Sequence, residues 1–362
     1  MAQLNRGRVS VPAQAALSGS HRKAPGSAGG YLLEDWSIVR AFQPHASIDL
    51  TAGPHKVVVE HNQTSPIGGH LALGIVAADK VVNPEAVAMA SKADAVLVQA
   101  GFAPESESEG GDRTFSLPYG QDELIAAMSK ANPKTIVAVT AGGNVDSRAW
   151  LPSVPSLLQT WYGGQEGGGA LAEILFGDVN PSGHLPVTFE RNPEDNPTFT
   201  HYYPEEGQKK VVYKEGLFVG YRGYEKNKIS PLFPFGFGLS YTNFKFSNLA
   251  VTSDPGQASA KVSFDVSNTG TREGADVAQV YVTEVSSKVE RPDHELKGFE
   301  RVILKPGETK HVSVNLNERA FSYFDADSKT WSIGSDRFTV SVGDSVAVLP
   351  LKAELKVNHT AH

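Results

Sequence analysis

Cysteine is missing from the 362 residues, and methionine occurs only three times. The lack of cysteine excludes disulfides, thiol nucleophiles and thiolate-bound metals within this sequence. No apolar run approaches the ~18 residues of a membrane-spanning helix. Lysine and arginine form no block or stripe, and the net charge is −7. We therefore expect neither a nucleic acid nor a membrane as a partner.

The N-terminal residues, up to position 78, predict little regular structure. Residues 1–30 are rich in Ala, Ser, Gly and basic side chains and lack the apolar core of a secretion signal. We predict a disordered or misassigned tail there, and the compartment stays unknown. Residues 31–78 contain alternating runs, HKVVVEHN and GHLALGIV, that predict β-strands. These strands are too few for a stable sandwich, so we predict the remnant of a β-domain.

Strands and helices alternate over residues 79–243. The buried-strand runs are DAVLVQAG, KTIVAVTAGG and VPSLLQTWYGG, and the helical runs include NPEAVAMASKA, GQDELIAAMSKAN and QEGGGALAEILFG. Asn83 and Pro84 fit an N-cap and a first helical position. This alternation predicts an α/β layer with a mostly parallel sheet, whose ligand-binding groups follow the carboxyl ends of the strands.

From Phe244 to the C-terminus the pattern is entirely β. Runs such as KVSFDVSNTG, DVAQVYVTEV and FTVSVGD alternate apolar and polar residues, and turn residues separate them. Several short strands at this spacing predict an antiparallel β-sandwich over residues 244–362. The fold class is therefore α/β followed by all-β.

The loop after the first buried strand is unusually acidic. Glu105, Glu107 and Glu109 stand within five positions of the segment APESESEGGDRTF. In an extended loop these three side chains point to the same side. Crowded carboxylates raise each other's pKa, which suits a proton donor near neutral pH. The alternative is a solvated acidic loop.

The next charged residues of this loop are Asp112 and Arg113. We predict that they form a buried ion pair that fixes the loop.

Several long motifs carry a family resemblance. Two of them resemble the C-terminal α/β domain of glycoside hydrolase family 3, the β-glucosidase family. Their sequences are WYGGQEGGGALAEILFGDVNPSGHLPVTF and VVYKEGLFVGYRGYEKNKISPLFPFGFGLSYTNF. HELKGFERVILKPGETKHVSVNL resembles the fibronectin type III-like domain of these enzymes, and residues 31–78 resemble the end of a protective-antigen-like β-sandwich insertion. The resemblance runs from Tyr31 to the C-terminus.

The resemblance implies a retaining glycosidase chemistry, in which one carboxyl group is the nucleophile and a second is the acid/base. It places the acid/base on the acidic loop, with Glu107 as first choice, Glu105 as second and Glu109 as third. Asp112 is a candidate for binding sugar hydroxyls, besides its structural role. Gly111 stands where the family often has an aromatic residue.

The family's N-terminal (β/α)8 barrel, which carries the nucleophile, has no counterpart in this sequence. Gene truncation, a split gene and a gene-model error are all open explanations. We expect the chain to be inactive by itself. The alternative is a non-catalytic β-rich module that binds carbohydrate or protein.

The partners implied by the resemblance are a β-linked glucoside or oligosaccharide, and either a separate barrel domain or a second copy of the chain. No cofactor is implied. The eleven histidines are scattered without a metal-binding spacing, so we predict no metal. Family members are secreted or cytoplasmic.

Overall fold

The computed structural model describes residues 8–9, 56–57, 76–104, 106–109, 112–205, 209–253 and 256–357. Described residues up to Gly164, together with Glu205, form one compact unit, and those from Gln165 onward form a second. The tail predicted over 1–30 and the β-remnant predicted over 31–78 lie almost wholly outside the described residues.

The first unit is built on a parallel sheet. Two-residue strands β1 and β2 pair in parallel with each other, and the main sheet has the order β3-β4-β5. Two helices accompany this sheet. The bounds are β1 Arg8–Val9, β2 Lys56–Val57, α1 Pro84–Ala90, β3 Val96–Gly101, α2 Gln121–Ala131, β4 Thr135–Thr140 and β5 Ser156–Gln159.

Burial of the central strand explains why this sheet forms. Strand β4 carries a nearly continuous apolar run, typical of a parallel strand that is covered on both faces. Helix α2 turns Ile125 and Met128 into the same core, three residues apart as helix periodicity requires. Trp150 is fully buried there, and its indole N–H donates to Asp122 at 2.9 Å.

Helix α1 begins where the sequence predicts, and it ends at Ala90, before the end of the predicted helical run NPEAVAMASKA. The Asn83 side chain accepts a hydrogen bond from the Glu85 amide at 2.9 Å, as an N-cap does. At the other end, the buried side chain of Asn132 donates to the carbonyls of Ala90 and Ala93. The carbonyl of Ala90, the last residue of the helix, is thereby satisfied.

The second unit contains short helices and two antiparallel sheets, with strand orders β10-β7-β6 and β14-β13-β8-β9, together with the hairpin β11-β12. The helices are α3 Gly167–Phe176, α4 Tyr221–Lys226 and α5 Glu318–Phe321. The strands are β6 Phe244–Ser253, β7 Ala260–Asn268, β8 Gly274–Glu284, β9 Glu295–Leu304, β10 Thr309–Leu316, β11 Tyr323–Asp325, β12 Thr330–Ser332, β13 Arg337–Gly343 and β14 Leu351–Lys356.

Alternation along the strands builds one core between the two antiparallel sheets. On β7, Val262, Phe264 and Val266 are fully buried, and the residues between them point away from the core. Strand β8 contributes Val280 from the other sheet. This pairing of two inner faces is the sandwich arrangement.

The predicted fold class, α/β plus all-β, is confirmed. Antiparallel strands begin at Phe244, as predicted, but the compact units divide the chain between Gly164 and Gln165. The predicted domain limits therefore stay predictions. No helix among the described residues is long and apolar enough to cross a membrane.

Candidate active site

The acidic loop, which we define as residues 102–120, leaves the carboxyl end of β3 and returns into α2. The Gln121 side chain closes its base, because it accepts from the Gly101 amide at 2.7 Å and donates to the Gly101 carbonyl at 2.9 Å. Gly101 has φ +137°, and a Cβ there would lie 2.0 Å from the Thr140 carbonyl oxygen. The loop thus starts at a place where two strands approach closely and only glycine fits.

Glu107 is the best-anchored carboxylate of this loop. It accepts from Arg113 Nε at 2.8 Å, from the Gly142 amide at 3.1 Å and from the Tyr162 hydroxyl at 2.5 Å. Its side chain is 17% exposed. Glu107 and Arg113 follow β3, Gly142 follows β4, and Tyr162 follows β5. The carboxyl ends of all three parallel strands therefore converge on one carboxylate.

The loop conformation differs from the predicted extended one. The amides of Ser106 and Glu107 both donate to the carbonyl of Ala103, and the Ser106 hydroxyl accepts from the Ala103 amide at 3.0 Å. These bonds make a helical turn from Ala103 to Glu107. The chain is therefore not extended at Ser106 and Glu107. The expectation that Glu105, Glu107 and Glu109 point to one side stays a prediction, because Glu105 lies outside the described residues.

The pKa of Glu107 also differs from the prediction. Burial works to raise this pKa, but the hydrogen bonds from Tyr162 and Gly142 and the charge of Arg113 outweigh it and lower the pKa below its ordinary value. The expectation that crowded carboxylates raise the Glu107 pKa was therefore wrong. A neighbouring guanidinium and two neutral donors, not neighbouring acids, determine this carboxyl's ionisation.

Arg113 has a carboxylate partner on this loop. Its guanidinium pairs with Glu107, which the sequence did not predict, and it donates to the carbonyls of Thr114 and Asn144 at 2.9 and 2.7 Å. It also lies 4.6 Å from the centre of the Phe102 ring. Arg113 fixes the loop as expected, but through Glu107.

The other predicted site residues lie elsewhere on the loop. Glu109 and Asp112 are exposed, whereas Glu107 is partly buried. Glu105, Gly110 and Gly111 are outside the described residues. Glu107, Glu109 and Asp112 are thus on one loop but in different environments, and their roles stay predictions.

Tyr162 is the residue that the sequence reasoning missed. It is 57% exposed, and burial and the Glu107 carboxylate raise its pKa to about 12. The preceding residue, Trp161, has φ +52°, a rare backbone conformation for a bulky side chain. A tyrosine just after a predicted third parallel strand was a usable signal, since the loops at that edge of a sheet meet.

No group of three His, Asp or Glu side chains in the described part of the chain is placed to hold a metal ion. What this site offers chemically is one fixed, ionised carboxylate and one exposed carboxyl two residues further on.

Two family models match the chain. The glycosyl hydrolase family 3 C-terminal domain matches residues 11–221, which is more than half of the 362 residues. The chain belongs to glycoside hydrolase family 3. The fibronectin type III-like domain matches residues 276–346, within the antiparallel sandwich. The predicted family and its second domain are confirmed. The first match also runs across the residues predicted as a protective-antigen-like remnant.

Relatives of this family 3 chain are β-glucosidases by name. Thermostable beta-glucosidase B of Acetivibrio thermocellus is 43% identical over 285 residues, which are 78% of this chain and 37% of the relative. Beta-glucosidase B of Emericella nidulans is 41% identical over 284 residues, which are 75% of this chain and 33% of the relative.

Solved structures of the family agree. The GH3 beta-glucosidase of Bifidobacterium adolescentis aligns with a TM-score of 0.72 at 39% identity, covering 76% of this chain and 40% of that one. The beta-glucosidase of Kluyveromyces marxianus, solved in complex with glucose, aligns with a TM-score of 0.70 at 42% identity, covering 75% and 33%. The chain therefore spans only about a third to two fifths of the length of these family members.

Proposed function

We propose that this chain supplies the acid/base carboxyl of a retaining β-glucosidase, and that the nucleophile comes from the barrel that the family resemblance implies. The observation that carries this proposal is the acidic loop itself. It lies at the carboxyl edge of a parallel sheet, where ligand-binding groups are expected, and three strand ends fix it through Glu107.

Within this loop we propose Glu109 as the proton donor, in place of Glu107. A general acid must hold its proton near the working pH, so its pKa must be high. The Glu107 carboxylate is ionised, because its hydrogen bonds and Arg113 lower its pKa. Glu109 is exposed on the same loop and can meet a substrate that approaches from outside.

The substrate proposed from the relatives' names is a β-glucoside or a β-linked oligosaccharide. Retaining hydrolysis requires two carboxyl groups about 5–5.5 Å apart, one of which attacks the anomeric carbon. The chain without a barrel has no route to the glycosyl-enzyme intermediate. We expect no turnover by this chain alone.

An experiment on a chimera distinguishes the roles of Glu107 and Glu109. In this chimera, the matching 37% of the Acetivibrio thermocellus enzyme is replaced by the corresponding residues of this chain. Glu109→Gln should slow hydrolysis of alkyl β-glucosides by about 100-fold or more, the usual size of a general-acid contribution. Dinitrophenyl β-glucoside should still form the glycosyl-enzyme, since its leaving group needs no proton.

A second experiment with azide identifies which glutamate is the acid/base. With Glu109→Gln, added azide should attack the anomeric carbon of the glycosyl-enzyme, displace the nucleophile's carboxylate and release β-glucosyl azide. The Glu107→Gln chimera should give no azide product, because its acid/base carboxylate still repels the anion. Glucosyl azide from the Glu107→Gln chimera alone would reverse the assignment of the two glutamates.

A further inference from the structure

Glu107, Arg113 and Tyr162 form a connected group that we call the clamp. The Glu107 carboxylate lies between the Arg113 guanidinium and the Tyr162 hydroxyl, at 2.8 and 2.5 Å. We propose that the clamp is a positioning device, which holds the acidic loop in the one conformation that presents Glu109. This inference rests on the proposed role of Glu109 as the proton donor.

The first argument is geometric, since the clamp connects separate strands. Arg113 reaches the loop after β4 through the Asn144 carbonyl at 2.7 Å, and Glu107 reaches the same loop through the Gly142 amide at 3.1 Å. Tyr162 brings in the segment after β5. A carboxylate two residues from Glu109 is therefore tied to three rigid strands, and such supports fix the geometry of a reactive group.

The second argument is the space left for the carboxylate. A Cβ on Gly142 would lie 2.8 Å from Glu107 Oε1, so a side chain there would displace the carboxylate. Glycine at this position lets the carboxylate approach the backbone closely.

The third argument is the backbone of Trp161. Its left-handed φ of +52° is strained for a bulky residue, and it directly precedes Tyr162. Strain of this kind persists where surrounding contacts overdetermine the conformation, and it concentrates at functional sites. Here the next residue, Tyr162, donates a hydrogen bond from its hydroxyl to Glu107 at 2.5 Å.

The charge balance separates the clamp from the proton-transfer step. The Glu107 carboxylate and the Arg113 guanidinium neutralise each other within the loop. The clamp therefore adds no net charge beside Glu109, and its effect on the reaction is one of placement. Its residues are positioning residues rather than proton donors.

The test of the clamp uses hydrogen–deuterium exchange on the whole chain. Glu107→Gln and Tyr162→Phe should each speed exchange in peptides that cover residues 102–117 by about tenfold, as expected when hydrogen bonds to a charged group are lost. Peptides of β4 serve as the internal reference for an intact fold. Glu109→Gln is the matched control, and its loop should exchange like the wild type.

Two exchange results would overturn the clamp. One is loop exchange within twofold of wild type in both Glu107→Gln and Tyr162→Phe. The other is equal acceleration in Glu109→Gln, which would make Glu109 part of the support. Neither result depends on activity, so failure of the clamp and failure of the proposed function are distinguishable.

Kinetics of the chimera then distinguish a loss of Glu109 positioning from a general loss of structure. Tyr162→Phe should lower kcat for an alkyl β-glucoside by about tenfold, with KM within about threefold. It should leave kcat/KM for dinitrophenyl β-glucoside nearly unchanged, because that ratio reports formation of the glycosyl-enzyme, which needs no proton donor for this leaving group. Equal losses of kcat/KM on both substrates would show a merely structural role and overturn the positioning proposal. A chimera without substitutions that folds but hydrolyses no glucoside would contradict the proposed function. The exchange data would still show whether the clamp holds the loop.

Discussion

Two glutamates two positions apart can have opposite chemistry when their hydrogen-bond partners differ. Glu107 receives three donors and its pKa falls, while Glu109 is exposed on the same loop. The residue type alone does not distinguish these two acids. Their difference arises from Tyr162 and Gly142, which lie 55 and 35 positions away along the chain.

The lowered pKa of Glu107 makes a pH-dependent contribution to stability. Because the folded pKa lies below the unfolded value of 4.5, the contribution is fully present above that pH and is lost as pH falls through the folded pKa. Wild type should lose about 1 kcal/mol more of its unfolding free energy than Glu107→Gln between pH 6 and the acid limit. Urea denaturation at several pH values measures this difference.

The control is Tyr213→Phe, which changes a tyrosine that is 80% exposed. Its acid sensitivity should match wild type. Identical pH profiles for wild type and Glu107→Gln would contradict the ion pair between Glu107 and Arg113.

At the scale of elements, the end of β3 depends on Gly101. Its left-handed φ of +137° and its approach to Thr140 leave no room for a side chain. Gly101→Ala should destabilise the first unit by about 2–4 kcal/mol, through steric contact and backbone strain. Denaturant unfolding measures the loss.

Gly168→Ala in helix α3 is the matched control for that substitution. A Cβ at Gly168 meets no described atom within 4 Å. The change should therefore stabilise the protein by about 0.5–1 kcal/mol, because alanine favours helix. Equal effects of the two substitutions would contradict the close approach of β3 to β4.

The elements that the sequence predicted are those whose burial has a regular period. Strands β4 and β7 show this, one as a continuous apolar run and the other as strict alternation. The hairpin β11-β12 was missed, since three-residue strands are too short to show a period.

The acidic loop shows a second limit of sequence reasoning. Its location after β3 followed from parallel-sheet topology, so the candidate region was predictable. Its helical turn was not, because that turn depends on the amides of Ser106 and Glu107 reaching the Ala103 carbonyl. The Tyr162 contact is tertiary and left only a weak trace in the sequence.

At the scale of the whole molecule, one histidine joins the family 3 residues before Phe244 to the fibronectin type III-like strands. His184 lies 2.5 Å from the Gly236 carbonyl through Nδ1 and 3.1 Å from Asp276 on β8 through Nε2. Both neighbours accept hydrogen bonds, so both ring nitrogens donate when the imidazole is protonated. Burial works to lower the His184 pKa, but Asp276 and Gly236 outweigh it and raise the pKa.

This arrangement predicts a loss of stability at alkaline pH. With the folded pKa above the unfolded value of 6.5, the stabilisation is complete below pH 6.5 and disappears as pH rises through the folded pKa. Wild type should lose about 1 kcal/mol more than His184→Asn between pH 6 and pH 9. Thermal unfolding across this range tests it, and parallel curves for the two proteins would contradict a protonated His184.

The most direct measurement for the account as a whole is hydrolysis of p-nitrophenyl β-glucoside by two proteins side by side. One is this chain alone, and the other is the chimera that joins it to the unmatched part of the Acetivibrio thermocellus enzyme. The account predicts no turnover by the chain and clear turnover by the chimera. Turnover by the chain alone would contradict the claim that it supplies only one carboxyl of a shared site.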